Sequence, residues 1–239
     1  RFAGGVQGGR RLGLAAALIR EDGRERDGFG RMGPKRFDAP WREIEAQGWI
    51  APADCTEIRV SLADSERAAY AVAEFDDKYR LAAHAPAKTR VVRHLLKKHE
   101  GEQTLVIGQY LDQLDHLAET LAAPLVTGKT PVKERERLFQ AFRTGELTTL
   151  VVSKVANFSV DLPEATVAIQ VSGTFGSRQE EAQRLGRVLR PKSDGRTAHF
   201  YTIVTRETVD ADFAAKRQRF LAEQGYAYSI VDADDLLYG

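Results

Sequence analysis

The sequence predicts an α/β fold in which a parallel sheet is flanked by helices. From about residue 56 onward, short segments of strand character alternate with longer segments of helical character. That alternation is the pattern of a parallel sheet with crossover helices. Residues 104–107 form a short run that reads as a buried strand, the kind such a sheet uses. No repeat of 20–50 residues and no low-complexity segment competes with this reading.

Taken in order, residues 1–10 carry Gly4, Gly5, Gly8 and Gly9 without periodicity and read as a flexible lead-in. Residues 11–19 form a short apolar run consistent with one buried strand. In the charged run that follows, from Arg20 to Asp27, only Gly23 is uncharged; taken alone it reads as a solvated loop. Gly28, Gly30, Gly33, Pro34 and Pro40 make residues 28–53 a connection, with a domain boundary expected near Ala51. Residues 56–62 alternate polar and apolar and predict a strand. Asp64 opens a helix expected to run to about Ala83. Val91, Val92, Leu95 and Leu96 place another helix over residues 88–100. After the strand at 104–107, a helix over 111–121 gathers Leu111, Leu114, Leu117, Ala118 and Leu121 on one apolar face. A helix at 132–142 and strands at 150–152 and 166–171 follow. The C-terminal part predicts a strand at 198–204, a helix at 209–224 and a strand at 226–231.

Composition bounds the function. Hydrophobic residues make up 43% and charged residues 29% of the 239, and 35 Lys and Arg face 34 Asp and Glu, a net charge of +1. No global field draws the chain to nucleic acid, so any such binding must come from local patches. The single cysteine, Cys55, excludes an internal disulfide and a cysteine-based zinc site and fits a reducing compartment. No apolar run reaches membrane-spanning length and the first residues lack signal-peptide features, so a soluble intracellular protein is expected.

The most informative stretch is Gln183-Arg184-Leu185-Gly186-Arg187-Val188-Leu189-Arg190, closed by Pro191. At helical spacing Leu185, Val188 and Leu189 share one side, and Gln183, Arg187 and Arg190 the opposite one. The helix would bury an aliphatic stripe and present two planar, permanently charged guanidinium forks, the geometry that suits phosphate. An amphipathic helix with solvated arginines is the plainer alternative. In open α/β sheets, ligands sit beyond the carboxyl ends of the strands. Ser153 and Lys154 fall at one such end and can hold a backbone phosphate. Asp161, in the same loop, can accept from a ribose hydroxyl or serve as a turn aspartate ahead of Pro163. Gly108, Gln109 and Tyr110 fall at a second end. At the third, Gly128-Lys129-Thr130 resembles part of a P-loop, but Ala123 stands where the first glycine is required and Pro131 opposes helix at Thr130. Forked arginines without a Walker A loop or an Asp-Glu-x-x box describe half of a nucleotide site, the other half being supplied by another domain.

At the level of motifs, Gln183 to Arg190 resembles helicase motif VI of superfamily 2, Ser153 to Pro163 motif V, and Leu105 to Tyr110 motif IV; Thr127 to Thr130 resembles the adjoining backbone-contacting loop. In detail the chain resembles the XPB helicase family. The likeness rests on Gly13-Leu14 and Leu18-Ile19-Arg20-Glu21-Asp22-Gly23, Ser153-Lys154-Val155, Asp161-Leu162-Pro163-Glu164-Ala165, and Gly176-Ser177-Arg178 leading into Glu181-Ala182-Gln183. It continues through Lys216-Arg217-Gln218-Arg219-Phe220-Leu221 and Gln224-Gly225-Tyr226. The resemblance implies a RecA-like sheet and the C-terminal half of an ATP-dependent 3′-to-5′ DNA helicase or translocase of nucleotide excision repair. By that likeness residues 1–50 hold the lead-in, the last strand of the first motor domain and a linker, and residues 51–239 form the second RecA-like domain. Arg187 and Arg190 are then arginine fingers, Gln183 assists at the phosphates, and Asp161 touches the nucleotide sugar. Ser153, Lys154, Thr130 and Gln109 lie along DNA, and Arg20, Glu21 and Asp22 match a charged motif for strand separation and interdomain contact. ATP and Mg²⁺ are implied for the full-length protein, with neither expected on this chain alone. The implied partners are DNA, the first RecA-like domain and a repair nuclease, in the cytoplasm and at the nucleoid of a prokaryote, with no membrane.

Two departures stand out. Ala15-Ala16-Ala17 replaces the Thr-Ala-Thr of the family, removing two hydroxyls implied to link hydrolysis to unwinding, and the thumb-like insertion is confined to about residues 65–85. The missing hydroxyls favour an alternative, a non-catalytic nucleic-acid-binding or scaffold module; Gln183, Arg187, Arg190 and Asp161 oppose it. Ala123 excludes a P-loop kinase. Because half a cleft neutralises few phosphates, DNA affinity of the isolated chain is expected to be modest and to fall with added salt. Filter binding or anisotropy unchanged between low and high salt would refute the assigned phosphate contacts.

Overall fold

A computed structural model describes residues 53–153, 165–173, 197–223, 226 and 228–239. The expected strand at 11–19, the Arg20–Glu21–Asp22 motif, Lys154, Asp161 and the arginine-bearing stretch with Gln183, Arg187 and Arg190 lie outside the described residues. Seven parallel strands form one sheet: β1 (Ala53–Val60), β2 (Thr104–Gly108), β3 (Leu125–Val126), β4 (Thr149–Ser153), β5 (Val167–Gln170), β6 (Ala198–Thr205) and β7 (Tyr228–Asp232). Their order across the sheet is β3-β4-β2-β5-β6-β1-β7. The helices are α1 (Asp64–Val72), α2 (Phe75–Ala83), α3 (Pro86–Lys98), α4 (Leu111–Leu121), α5 (Val132–Arg143), α6 (Val209–Glu223) and α7 (Ala233–Tyr238).

Side-chain alternation along each strand builds two cores. Leu105 and Ile107 of β2, Leu150 and Val152 of β4, and Phe200 of β6 face one side, where Leu138, Phe139 and Phe142 of α5 and Phe220 and Leu221 of α6 cover them. Val106, Val151, Val167, Ile169 and Ile203 face the other side, under Val91, Val92 and Leu95 of α3 and Leu114 and Leu117 of α4. Each such side chain, fully buried, contributes roughly 1.5–3 kcal/mol. The parallel α/β architecture is therefore as the sequence predicts.

Three details differ from the expectation. The helix expected over 64–83 is two, because Ala73 and Glu74 adopt extended backbone (ψ 148° and 162°). Asp76 and Asp77 then favour a fresh N-terminus, and the change of direction brings Tyr79 against Phe213 of α6 at 5.6 Å between ring centroids. Val72 is left 85% exposed at the break. Leu111, expected on the buried face of α4, is exposed, whereas Gln113 is buried. The interior position goes to Gln113 because its amide has partners there, described below. Finally, β3 and α7 are additional elements, too short to generate a periodic signal.

At the amino ends of the strands a polar knot ties α3 to the sheet. His99 Nδ1 meets Glu102 Oε1 at 2.9 Å and His99 Nε2 meets the Tyr201 hydroxyl at 2.8 Å, while the Thr166 hydroxyl donates to Glu102 Oε2 at 3.0 Å. Burial alone would raise the Glu102 carboxyl, but the hydrogen bonds from His99 and Thr166 and the nearby imidazoles hold it below the ordinary value of 4.5. Burial, reinforced by the Asp54 and Glu102 charges, pushes the Tyr201 phenol up to about 12. A carboxyl depressed in the folded state contributes stability above its unfolded value and loses it as pH falls through the folded value. The stability difference between the unaltered chain and Glu102→Gln is thus expected to be full at about pH 7 and to shrink by about pH 3.5, read from urea midpoints. A difference that stays constant over that range would contradict the assignment.

Candidate nucleic-acid interface

The carboxyl edge of the sheet assembles the described part of the site. Gly108 at the end of β2 pairs with Ser153 at the end of β4, and Val126 at the end of β3 pairs with Val152. Gln109, Ser153 and the turn after Val126 therefore sit on three adjacent strand ends, spanning roughly 10 Å at the usual strand spacing. Gln109 and Thr130 are half-buried, Lys129 is exposed, and Ser153 is buried at 3% exposure.

Residues 127–130 form a self-closed turn. The Thr130 N–H donates to the Thr127 carbonyl at 3.2 Å, the Thr127 N–H to Thr130 Oγ1 at 2.9 Å, and the Lys129 N–H to Thr127 Oγ1 at 3.2 Å. Arg135 of α5 braces it, donating from Nη2 to the Thr130 carbonyl at 3.1 Å. Helix α5 begins only after Pro131, so Lys129 and Thr130 belong to a strand-end turn and not to a P-loop, as expected.

The exit of β2 is held more tightly. A Cβ on Gly108 would lie 2.7 Å from Leu114 Cδ2 and 3.1 Å from Ser172 Oγ, so the backbone approaches both at a distance that suits glycine. The next residue, Gln109, donates its N–H to Ser172 Oγ at 2.9 Å. Ser172 Oγ–H donates to Gln113 Oε1 at 2.5 Å, and Gln113 Nε2 donates to the Ala83 carbonyl at 2.5 Å. One residue earlier, the Val171 carbonyl accepts from Lys88 Nζ at 2.8 Å, and the same ammonium meets Asp210 Oδ2 at 2.6 Å. Lys88 is 1% exposed. The Asp210 carboxylate also accepts from the Thr205 N–H at 3.3 Å.

Beside this edge, Ala73, Asp77, Arg80, Leu81, His84 and Asp112 line a cavity of about 410 Å³. Arg80 and Asp112 are paired across it, with His84 Nε2 at 3.2 Å from Asp112. Burial tends to raise the Asp112 carboxyl, but the Arg80 hydrogen bond and the His84 charge outweigh it and hold the group below its ordinary value. Of the residues singled out in the sequence, the structure thus brings together Gln109, Ser153 and Thr130. Lys88, Gln113 and Ser172 were not singled out: in sequence they are a lysine and a glutamine within amphipathic helices and a serine after a strand, and nothing local marks them as buried partners. No group of three His, Cys, Asp or Glu among the described residues can hold a metal ion, and none of the described helices is long and apolar enough to cross a membrane.

A parallel sheet flanked by helices, with the candidates Gln109, Thr130 and Ser153 at its carboxyl edge, is the architecture of a RecA-like helicase domain. Solved structures agree on the fold. Dbp5 of S. cerevisiae bound to RNA and ADP BeF3 superposes with a TM-score of 0.63 at 14% identity, covering 91% of this chain and 50% of that one. A DEAD box protein from Methanococcus jannaschii gives 0.54 at 15% identity, covering 87% and 48%. The family model of the ERCC3/RAD25/XPB C-terminal helicase matches residues 44–237, and the chain belongs to that family. It is 69% identical to the DNA 3′-5′ helicase XPB of Kineococcus radiotolerans and 65% identical to that of Mycobacterium tuberculosis. In each alignment 99% of this chain is covered, against 42% and 43% of the relative. Drosophila melanogaster has a general transcription and DNA repair factor IIH helicase/translocase subunit XPB that is 39% identical over 98% of this chain and 31% of its own length. The chain thus spans less than half the length of these relatives.

Arg135→Ala removes the brace on the 127–130 turn. Loss of a hydrogen bond worth about 1 kcal/mol is expected to accelerate amide exchange at Thr130 by about fivefold. Unchanged exchange would show that the turn stands without Arg135.

Proposed function

We propose that this chain is the C-terminal motor half of an XPB-type ATP-dependent 3′-5′ DNA helicase or translocase acting in nucleotide excision repair. The observation that carries the proposal, beyond family membership, is the gathering of Gln109, the 127–130 turn and Ser153 on adjacent strand ends at one edge of the sheet. In this reading Gln109, Thr130, Ser153 and Lys154 follow the DNA backbone through hydroxyl, amide and ammonium groups, which position a strand without reading its sequence. Arg187 and Arg190 act as arginine fingers on a triphosphate held mainly by the first RecA-like domain, with Gln183 beside them and Asp161 at the sugar. Arg20, Glu21 and Asp22 work in strand separation and contact between the motor domains. Residues 1–50 hold the lead-in, the last strand of the first domain and a linker, and residues 51–239 the second domain.

In this reading the centre is divided: Mg²⁺ and the Walker A loop belong to the first RecA-like domain, and this half contributes cationic and hydrogen-bonding groups. When bound, ATP supplies the phosphoryl transfer whose energy drives movement. Guanidinium groups placed across an interface accelerate such transfers by about 10³–10⁵. DNA, the first RecA-like domain and a repair nuclease are the partners in this reading, in the cytoplasm and, in a prokaryote, at the nucleoid. A second reading, a scaffold that has lost its motor, draws on Ala15-Ala16-Ala17 where the family carries two threonines.

The chain alone is expected to show no ATPase activity, and adding the remaining part of the Kineococcus relative is expected to restore it. Arg187→Ala or Arg190→Ala should then lower kcat by about 10³ or more. Robust hydrolysis by the isolated chain, or restored hydrolysis indifferent to both arginines, would refute the assignment.

A further inference from the structure

We infer that Ser172, at the exit of β5, is a positioning residue for DNA engagement: it fixes the backbone of Gln109 through a hydrogen-bond relay of single sense. This rests on the reading of the chain as half of a DNA-dependent motor. Ser172 is 5% exposed, as is Gln113. Its hydroxyl has one proton, which goes to Gln113 Oε1 at 2.5 Å, leaving oxygen lone pairs for the Gln109 N–H at 2.9 Å. The amide of Gln113 cannot reverse, because its Nε2 donates to the Ala83 carbonyl at 2.5 Å and a flipped amide would set oxygen against oxygen. From Ala83 of α2 through Gln113 of α4 and Ser172 to Gln109, every donor and acceptor is therefore assigned.

The relay starts from a fixed point. Lys88 grips the carbonyl of Val171 at 2.8 Å, so the residue before Ser172 is tied to α3 and, through Asp210, to α6. Gly173 follows at φ +143°, and a Cβ there would lie 3.0 Å from Gln170 Nε2, which further restricts the turn. At the other end, Gly108 lets the β2 exit press within reach of the Ser172 hydroxyl. The exit of β2 is thus referenced to the exit of β5, and Gln109, the first residue past β2, takes its place from Ser172. Removing the hydroxyl takes this acceptor from the Gln109 N–H and this donor from the buried Gln113 Oε1, and so loosens the link between the β2 and β5 exits where the DNA strand is proposed to run.

The test uses this chain combined with the remaining part of the Kineococcus relative, with ATPase activity measured against DNA concentration. In Ser172→Ala the DNA concentration for half-maximal ATPase is expected to rise about tenfold, while kcat at saturating DNA stays within about twofold. Ser172→Thr keeps the hydroxyl and is expected to recover to within about threefold. Gln113→Met frees the Ser172 proton without removing the hydroxyl, stands in should Ser172→Ala fail to fold, and is expected to raise half-saturation by about threefold. A lower melting temperature with unchanged DNA half-saturation in the folded variant would overturn the inference, leaving Ser172 a packing residue. Stimulation by DNA that is normal in the unaltered mixture and in Ser172→Ala discards the positioning role and leaves the motor reading standing. No DNA-stimulated hydrolysis in the unaltered mixture removes both.

Discussion

The working edge of this domain is organised around an ammonium group that water does not reach. Lys88 sits in the first turn of α3, yet its side chain runs inward to the carbonyl of Val171 and the carboxylate of Asp210. Three elements meet at that nitrogen: α3, the exit of β5 and the first turn of α6. A buried pair of this kind is weak evidence for stability, because desolvation offsets much of the attraction, but removing one partner strands the other at roughly 3–5 kcal/mol. Its consequence here is geometric. With Val171 fixed, Ser172 is fixed, and the close approach at Gly108 carries that constraint across to β2. A hydrophobic contact, being non-directional, would hold the same elements together without specifying where the next backbone amide points.

In the proposed reading that constraint matters because unlike tasks lie side by side. The chain is electrically near neutral, so affinity for a polyanion depends on where individual donors sit and not on a general field. The strand ends of β3, β4 and β2 carry the proposed backbone contacts, and β5, the next strand over, leads into the sequence that bears Arg187 and Arg190. A parallel sheet places the ends of β2, β3, β4 and β5 at one edge because each crossover returns the chain to the opposite edge before the next strand begins. In the proposed reading the DNA and nucleotide contacts share that edge.

Much of this architecture is legible in the residues. The helix Leu111–Leu121 lies where its apolar spacing places it, and the short apolar runs of β2 and β4 are strands covered on both faces. That residues 127–130 are a turn and not a P-loop follows from Ala123 and Pro131. Other features depend on information that no local pattern holds. Extended backbone at Ala73 and Glu74 reflects the pull of Tyr79 toward Phe213, a contact between residues far apart in sequence. Leu111 and Gln113 exchange the environments that hydrophobicity assigns them, because Gln113 finds a carbonyl and a hydroxyl inside. Lys88 has no local signature either: a lysine in a helix's first turn is ordinarily solvated, and its burial requires Asp210 to arrive from the far end of the chain. The arginine stretch, the most informative in sequence, lies outside the described residues, so its reading remains one of spacing and resemblance.

The sheet order also bears on how the domain comes into being. Strand β1 opens the described fold but lies between β6 and β7, with Ala53 beside Ala198 and Cys55 beside Tyr228. Its neighbours are synthesised after the other described strands. During synthesis β1 therefore presents both hydrogen-bonding edges unpaired until β6 and β7 have emerged, and contacts of such long sequence separation form slowly. A chain truncated ahead of Ala198 would keep β2 to β5 as a possible nucleus yet leave β1 with neither of its sheet neighbours, a state open to pairing with other chains.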